Sequence, residues 1–178
     1  EVSPEAVAAV ENAAALLTKL GHEVQPVEPG LDGKQLAQDF MTMWSAQVAA
    51  TMKEIQRLTG AGPKDFEVDN RLFAAAAKSM PATEYIAANR RWNVHTRALA
   101  AFHANYDLLL TPTLAGPPVK IGELDPPRWL RVFGAVALSL GLAGSLAKTK
   151  LWADTVLMNL APVPFTQLAN LTGRPAIS

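Results

Sequence analysis

A long stretch of helical periodicity places the strongest constraint on the fold of this chain. Large apolar side chains recur every three or four residues between residues 32 and 59: Leu36, Phe40, Trp44, Val48, Met52 and Ile55. This spacing puts them on one stripe of an α-helix. The segment Gly60-Ala61-Gly62-Pro63 then ends the pattern, as Gly and Pro commonly do. The chain is therefore expected to fold around one long helix with one side packed against neighbouring elements.

Shorter signals predict further helices. Ser3-Pro4-Glu5 is typical of a helix start, with Ser as the N-cap and Pro at the first helical position. Gly21 is suited to the left-handed cap at the end of that helix. Helices are also predicted over residues 69–78 and 83–105, and residues 152–171 are helical or irregular around two prolines. The side chains expected to face inward on the 83–105 helix are Tyr85, Trp92, Leu99 and Phe102.

Two segments are predicted as strands. Residues 22–28 alternate into Val24 and Val27, and residues 106–113 form a continuous apolar run closed by Pro112. Such runs are typical of fully buried strands in parallel sheets. The expected class is therefore α/β, mostly α with a few short strands.

Composition excludes several functions. The chain has 16 basic and 16 acidic residues and a hydrophobic fraction of 49%, so it offers no net charge for binding nucleic acid. A neutral, apolar-rich chain tends to associate, and a homodimer through exposed apolar surface is one expectation. The absence of cysteine excludes disulfides and fits a reducing, cytoplasmic compartment.

Residues 132–147 carry no charge, but a membrane span needs about 20 residues and three glycines interrupt this segment. A buried or mobile helix is expected, and a surface segment that meets a membrane or a partner is the alternative.

Three patterns that could carry chemistry have ordinary explanations. Ser145 and Lys148 match the Ser-x-x-Lys pattern of penicillin-recognising enzymes, but Lys148-Thr149-Lys150 lacks the Gly of their Lys-Thr-Gly element. Asp65, Glu67 and Asp69 alternate like the start of a calcium loop, whose required Gly and closing Glu are missing. His95 and His103 are eight residues apart, whereas two metal ligands on one helix are commonly four apart. We predict no metal and no cofactor.

Three motifs resemble segments of the amidase signature family. They are the run from Tyr106 to Thr113 (YDLLLTPT), the run from Pro164 to Ser178 (PFTQLANLTGRPAIS) and the unit from Leu20 to Val24 (LGHEV). The motifs lie in the family's order and at its rough spacing, so the resemblance covers essentially the whole chain. Within the family, the helical middle is most similar to bacterial amidases of the 6-aminohexanoate-cyclic-dimer hydrolase type. The resemblance implies a central mixed sheet covered by helices, with residues 1–178 as the C-terminal half of an amidase domain.

The resemblance also implies a reaction. The family hydrolyses amide bonds with a Ser nucleophile, a second Ser in a cis peptide that relays the proton, and a Lys that finally accepts it. Those residues lie in a Gly-Gly-Ser-Ser type segment and at an upstream Lys, both N-terminal to the region matched here. No residue of this chain matches them, so we expect no catalytic residue in it and no activity of this chain alone. The chain also begins without an initiator Met and ends in an apolar phrase, which predicts a piece of a longer protein.

The remaining expectation is a supporting role in substrate binding. The long helix that carries Met41, Met43, Trp44 and Ser45 is the candidate wall of the acyl-binding channel for a small amide substrate, because Met suits an adaptable apolar surface. A plain core stripe explains the same residues equally well. Thr111 and Thr113 end a predicted strand, where α/β sheets place ligands, although they could equally cap the strand's exit.

A different class of function stays open at this point. The chain could be a stand-alone helical module that binds protein or lipid through apolar surface. An upstream Gly-Gly-Ser-Ser segment in the same reading frame would favour the amidase.

Overall fold

A computed structural model describes residues 2–177, apart from the side chain of Asn159, and over this range the chain is a bundle of helices. The helices are α1 (Pro4–Lys19), α2 (Gly33–Thr59), α3 (Val68–Ser79), α4 (Ala82–Phe102), α5 (Arg128–Ser139), α6 (Ala143–Leu146), α7 (Lys150–Leu160) and α8 (Thr166–Thr172). A single 3₁₀ turn, Pro63–Asp65, precedes α3. Ser178, the last residue of the 164–178 motif, and Glu1 lie outside the described residues.

The helix caps predicted from the sequence at both ends of α1 are present. The Ser3 hydroxyl accepts a hydrogen bond from the Ala6 amide at 3.3 Å, and Pro4 is the first residue of α1. At the other end Gly21 has a φ of +92°, and the His22 amide donates to the Leu17 carbonyl at 3.1 Å. This is the Schellman arrangement, in which a left-handed residue closes the last turn.

The long helix α2 organises the bundle. Asp32 caps its start by accepting from the Gln35 amide at 3.0 Å, and Gly60 ends it at a φ of +73°. Helices α3, α4 and α8 pack against α2, α8 also packs against α4, and α5 and α6 pack on the outer side of α3. The packed centre between α3, α5 and α6 is formed by Leu72, Ala137 and Ala143.

The buried faces of α2 and α4 differ from the predicted stripes. On α2 the buried residues are Leu36, Asp39 and Ser45, whereas Trp44 is 42% exposed. On α4 they are Ala88, His95, Leu99 and Phe102. Leu99 and Phe102 were predicted correctly, but Tyr85 is exposed. Asp39 and His95 pair between the two helices and so share the buried positions with the apolar residues.

No strand forms anywhere in residues 2–177. Segments 22–28 and 106–113, both predicted as strands, have irregular structure, with bends at Asp107 and Thr113 in the second. A strand is held by hydrogen bonds to a neighbouring strand, and the described part of the chain supplies none to either segment. The helix-rich character is as predicted, while the α/β class stays a prediction.

The uncharged segment 132–147 is two helices. A turn at Gly141, whose φ is +71°, separates α5 from α6. One face of α5 is packed on α3 and the other is exposed, with Trp129 at 62%, Val132 at 64% and Phe133 at 49%. The expectation of a buried helix is therefore wrong for that face. The described helices include none that combines the length and the apolar character needed to cross a membrane.

Candidate functional site

Two cavities lie on different sides of α2, and α2 supplies residues to both. Successive residues of a helix point about 100° apart, so neighbours such as Trp44 and Ser45 face different surroundings. The four side chains predicted to wall a channel are accordingly divided between the two cavities. Met43 and Trp44 line the larger one, and Met41 and Ser45 line the smaller one.

The larger cavity has a volume of about 330 Å³ and lies between α2, α4 and α8. Its walls are mostly aromatic and aliphatic, with two amide side chains. The lining residues are Phe40, Met43, Trp44, Ala46, Gln47, Ala50, Tyr85, Trp92, Asn170 and Leu171. A volume and a lining of this kind match pockets for small organic ligands, which are apolar with few polar groups.

The smaller cavity has a volume of about 150 Å³ and is more polar. It is a cleft open to solvent, between α2, α3 and the segment around α6 and α7, with Glu84 from α4. The lining residues are Met41, Thr42, Ser45, Ala76, Ser79, Met80, Glu84, Ala147, Lys148 and Trp152. Both charged residues are exposed, whereas Ser45 is only 6% exposed.

A row of four aromatic rings connects the walls of the two cavities. Phe40 and Trp44 have ring centroids 5.9 Å apart, Trp44 and Phe73 5.4 Å, and Phe73 and Trp152 5.1 Å. These separations lie in the range of favourable aromatic pairs. Trp44 and Trp152 are therefore held in place by a shared neighbour, Phe73, although they line different cavities.

The two threonines predicted to bind substrate lie apart from α2. Thr111 and Thr113 are exposed residues of the irregular segment after α4 and line neither cavity. This segment is fixed at Ala115, whose carbonyl accepts from the Ser3 amide at 2.7 Å and whose amide donates to the Pro162 carbonyl at 2.9 Å. Their role in binding stays a prediction.

A buried charged cluster joins α2 to α4 beside the larger cavity. The Asp39 carboxylate, 2% exposed, accepts hydrogen bonds from Arg91 Nη2 at 2.7 Å, from Arg91 Nε at 3.0 Å and from Gln35 Nε2 at 3.0 Å. His95 Nε2 lies 3.0 Å from the other carboxylate oxygen. We name Asp39, Arg91, His95 and Gln35 the Asp39 cluster.

The Asp39 cluster was not predicted from the sequence. The available signal was Arg91 and His95 four residues apart, on one face of a helix, with Asp39 three residues after Leu36 on the opposing helix. That pattern predicts a charge pairing between helices but does not reveal which helices are neighbours.

Burial and hydrogen bonding act in opposite directions on Asp39. Burial disfavours the charged form and raises the pKa of Asp39. The hydrogen bonds from Arg91, His95 and Gln35 and the positive charge of Arg91 favour the carboxylate and outweigh burial, so the pKa of Asp39 lies below its ordinary value. The same pairing raises the pKa of Arg91. The cluster is thus an ion pair at neutral pH.

The Ser-x-x-Lys pattern forms no site of its own. Lys148 borders the smaller cavity and Ser145 does not. Among the described residues, the serine hydroxyls that donate hydrogen bonds do so to backbone carbonyls: Ser79 to Ala76 and Gly144, and Ser139 to Val136. Ser45 and Ser79 line the smaller cavity together with Lys148, but within the described residues no hydrogen bond joins Lys148 to a serine.

Comparison with known proteins gives the family. The family model described as Amidase matches residues 1–178, and the chain belongs to the amidase family. The resemblance predicted from the three motifs is thereby confirmed.

The curated relatives are amidases and hydrolases. A lipoamidase from Enterococcus faecalis is 29% identical over 99% of this chain and 24% of its own length. A putative amidase AmiC from Mycobacterium leprae is 28% identical over 100% of this chain and 33% of its own length. A 6-aminohexanoate-cyclic-dimer hydrolase from a Pseudomonas species is 27% identical over 99% of this chain and 34% of its own length. This chain thus spans about a quarter to a third of these relatives, and no solved structure matches it significantly.

Proposed function

We propose that these residues are the C-terminal part of an amidase domain whose whole protein hydrolyses carboxylic amides of small, largely apolar substrates. The observation that carries this proposal is the match of the Amidase model to the entire chain. The relatives are named as an amidase, a lipoamidase and a cyclic-dimer hydrolase. These names support amide hydrolysis as the reaction of the whole protein. The whole domain would have the α/β architecture implied by the family, with segments 22–28 and 106–113 paired in its sheet.

The proposed chemistry uses a nucleophilic Ser, a bridging Ser in a cis peptide and a Lys, all contributed by sequence outside residues 1–178. A hydroxyl becomes a useful nucleophile only beside a base. The arrangement of serines described above supports a catalytic centre elsewhere. The alternative, a stand-alone interaction module, is not favoured, because a family of hydrolases matches every residue of the chain.

The proposed contribution of this chain is part of the substrate channel. Trp44 and Met43 would contact the apolar part of the substrate in the larger cavity, and Met41 and Ser45 would contact the substrate in the smaller, more polar one. Thr111 and Thr113 are proposed as further contacts, reached when segment 106–113 joins a sheet. We place the enzyme in the cytoplasm, which agrees with the lack of cysteine.

The test compares turnover of a simple aryl amide by the whole protein and by the isolated chain of residues 1–178. We expect hydrolysis by the whole protein and none by the isolated chain. Hydrolysis by the isolated chain would refute the placement of the catalytic residues, and an inactive whole protein would count against the amidase function.

We also propose that the chain alone self-associates through the exposed face of α5. Trp129, Val132, Phe133 and Val136 are spaced along one side of that helix and are 48% to 64% exposed. Sedimentation velocity should show dimers of the isolated chain that Phe133→Glu dissociates. The matched variant Leu20→Glu, at a 68% exposed position of the first helix's cap, should leave them intact. Dimers unaffected by Phe133→Glu would exclude this face.

A further inference from the structure

The larger cavity has aromatic side chains on two helices that do not pack against each other. From α2, Phe40 and Trp44 line the cavity, with ring centroids 5.9 Å apart at an interplanar angle of 42°. From α4, Tyr85 and Trp92 line it as well, and within the described residues neither of these rings contacts another ring. The four rings therefore border an open space of about 330 Å³ instead of stacking on one another.

Two amide side chains in the same lining offer acceptor oxygens. Gln47 Nε2 donates to Thr51 Oγ1 at 3.3 Å, and Asn170 Nδ2 donates to the Thr166 carbonyl at 3.1 Å. Each amide thus uses its donor group within its own helix. Neither amide oxygen accepts a hydrogen bond from another described residue, so both can accept from a ligand or lie against a positive charge.

These features make the cavity electron-rich without giving it a formal charge. The described residues that line it include no charged side chain. The neighbouring guanidinium of Arg91 is balanced by the Asp39 carboxylate, which accepts from it at 2.7 Å. The face of an aromatic ring carries partial negative charge, and it attracts cations. The amide oxygens act in the same sense, so a cation is favoured over an anion.

The lining favours a quaternary ammonium over a primary one. A primary ammonium loses hydrogen bonds to water on burial, and two amide oxygens replace them only in part. A quaternary ammonium has no N–H group to satisfy, and its methyl groups pack against rings and against Met43. The space holds about eleven waters at roughly 30 Å³ each, which is enough for a trimethylammonium group with a short polar tail.

We propose that the larger cavity is a binding site for a small molecule that carries a quaternary ammonium group. Rings from α2 and α4 bind the cation, and the oxygens of Gln47 and Asn170 add partial negative charge. The inference goes beyond the proposed function, which places the apolar part of a substrate here and assigns no charge to it. It rests on the lining of the cavity and is independent of the reaction.

The experiment uses the whole protein labelled with ¹³C at its methionine methyl groups and titrated with choline. We expect a saturable shift at Met43, which lines this cavity, with a Kd on the order of a millimolar for so small a ligand. Met41 and Met80, in the smaller cavity, serve as internal controls. The uncharged isostere 3,3-dimethylbutanol should bind roughly five- to thirtyfold more weakly, since it lacks the cation–π attraction.

Substitutions of one ring and one amide test the two parts of the site. Trp44→Leu keeps apolar surface but removes an aromatic face, so the preference for choline over the alcohol should fall at least about threefold, and Trp44→Phe should retain most of it. Gln47 is exposed, so a charge at this position tests the site without disturbing the fold. Gln47→Glu should tighten choline binding about two- to fivefold and Gln47→Lys should weaken it as much, with no change for the alcohol.

Ser139→Lys places the same positive charge on the exposed surface of α5 and, as the matched control, should change neither affinity. Three results would overturn the proposal: no shift at Met43, equal affinities for choline and the alcohol, or the same choline affinity in Gln47→Glu and Gln47→Lys. Because binding is read without turnover, it is independent of the amidase assay. Absent choline binding in an active enzyme would refute this site alone, and choline binding in an inactive protein would refute only the proposed function.

Discussion

The residue with the greatest consequence for stability is Asp39. Its carboxylate is buried between α2 and α4 and accepts hydrogen bonds from Arg91 and Gln35, with His95 Nε2 beside it. A buried ion pair adds little when compared with well-packed apolar residues, but removal of one partner leaves the other charge without compensation. The Asp39 cluster therefore fixes how α2 and α4 align, and with them the walls of the larger cavity.

Asp39→Ala should lower the free energy of unfolding by about 1–3 kcal/mol, less than for a fully buried pair, since the Arg91 side chain is 41% exposed. The reason is that Arg91 and His95 lose their acceptor while α4 keeps them at the helix interface. Urea denaturation followed by circular dichroism measures the loss. Glu54→Ala, which removes an exposed partner of Arg57, is the matched control and should change stability little. Equal losses for the two variants would show that the Asp39 cluster does not hold the helices together.

The Asp39 cluster should also make stability depend on pH. Because the folded-state pKa of Asp39 is depressed, its contribution is complete above the ordinary aspartate pKa of about 3.9 and is lost as pH falls through the folded value. Unfolding free energies measured between pH 3 and 7 should therefore converge for the native chain and Asp39→Asn at the acidic end. A constant difference across that range would contradict the ionised state of Asp39.

At the scale of elements, the contact between α3 and α6 depends on the lack of a side chain at Gly144. A Cβ placed at Gly144 would lie 2.8 Å from the Ser79 Cβ, closer than packed atoms can approach. The short distance also lets the Ser79 hydroxyl donate to the Gly144 carbonyl at 3.1 Å. Together these contacts place α6, and the Lys148 that follows it, at the smaller cavity.

Gly144→Ala should therefore destabilise the fold by about 1–3 kcal/mol, the usual cost of overpacking. Thermal unfolding measures this effect. In the control Gly33→Ala, at the start of α2, an added Cβ meets nothing within 4 Å and no loss is expected. A Gly144→Ala protein as stable as Gly33→Ala would mean that α6 does not approach α3 so closely.

Helix positions were predictable from the sequence because their signals are local. The Ser3 cap, the Gly21 and Gly60 ends and the 32–59 periodicity each act within a few residues, and all appear in the structure. Which side of a helix is buried was harder to predict, since it depends on the neighbour. Trp44 was predicted to lie on the packed side of α2 but is 42% exposed. Asp39 is buried instead, because Arg91 and His95 of α4 lie opposite it.

The predicted strands illustrate why some structure cannot be read from one segment. Residues 106–113 have the composition of a buried strand, but a strand exists only when another segment pairs with it. The candidate site has the same limit. The sequence predicted α2 as a candidate wall, but the separation of Met41 and Ser45 from Met43 and Trp44 depends on how α3, α4 and α8 pack around that helix.

At the scale of the whole molecule, this chain is a helix-rich member of the amidase family and spans about a quarter to a third of the length of its relatives. Its cavities are proposed to bind part of the substrate, and the proposed nucleophile lies outside residues 1–178. Helix α5 exposes Trp129 and Phe133 to solvent. An exposed apolar surface of this kind is typical of a face that packs against another protein segment.

Covalent trapping of the nucleophile tests most directly whether the catalytic serine lies outside residues 1–178. The whole protein would be treated with a fluorophosphonate, which labels activated serine hydroxyls, and the modified peptide mapped by mass spectrometry. We expect one labelled serine in a sequence outside residues 1–178, and none at Ser45 or Ser145. A label on any serine within residues 1–178 would contradict it.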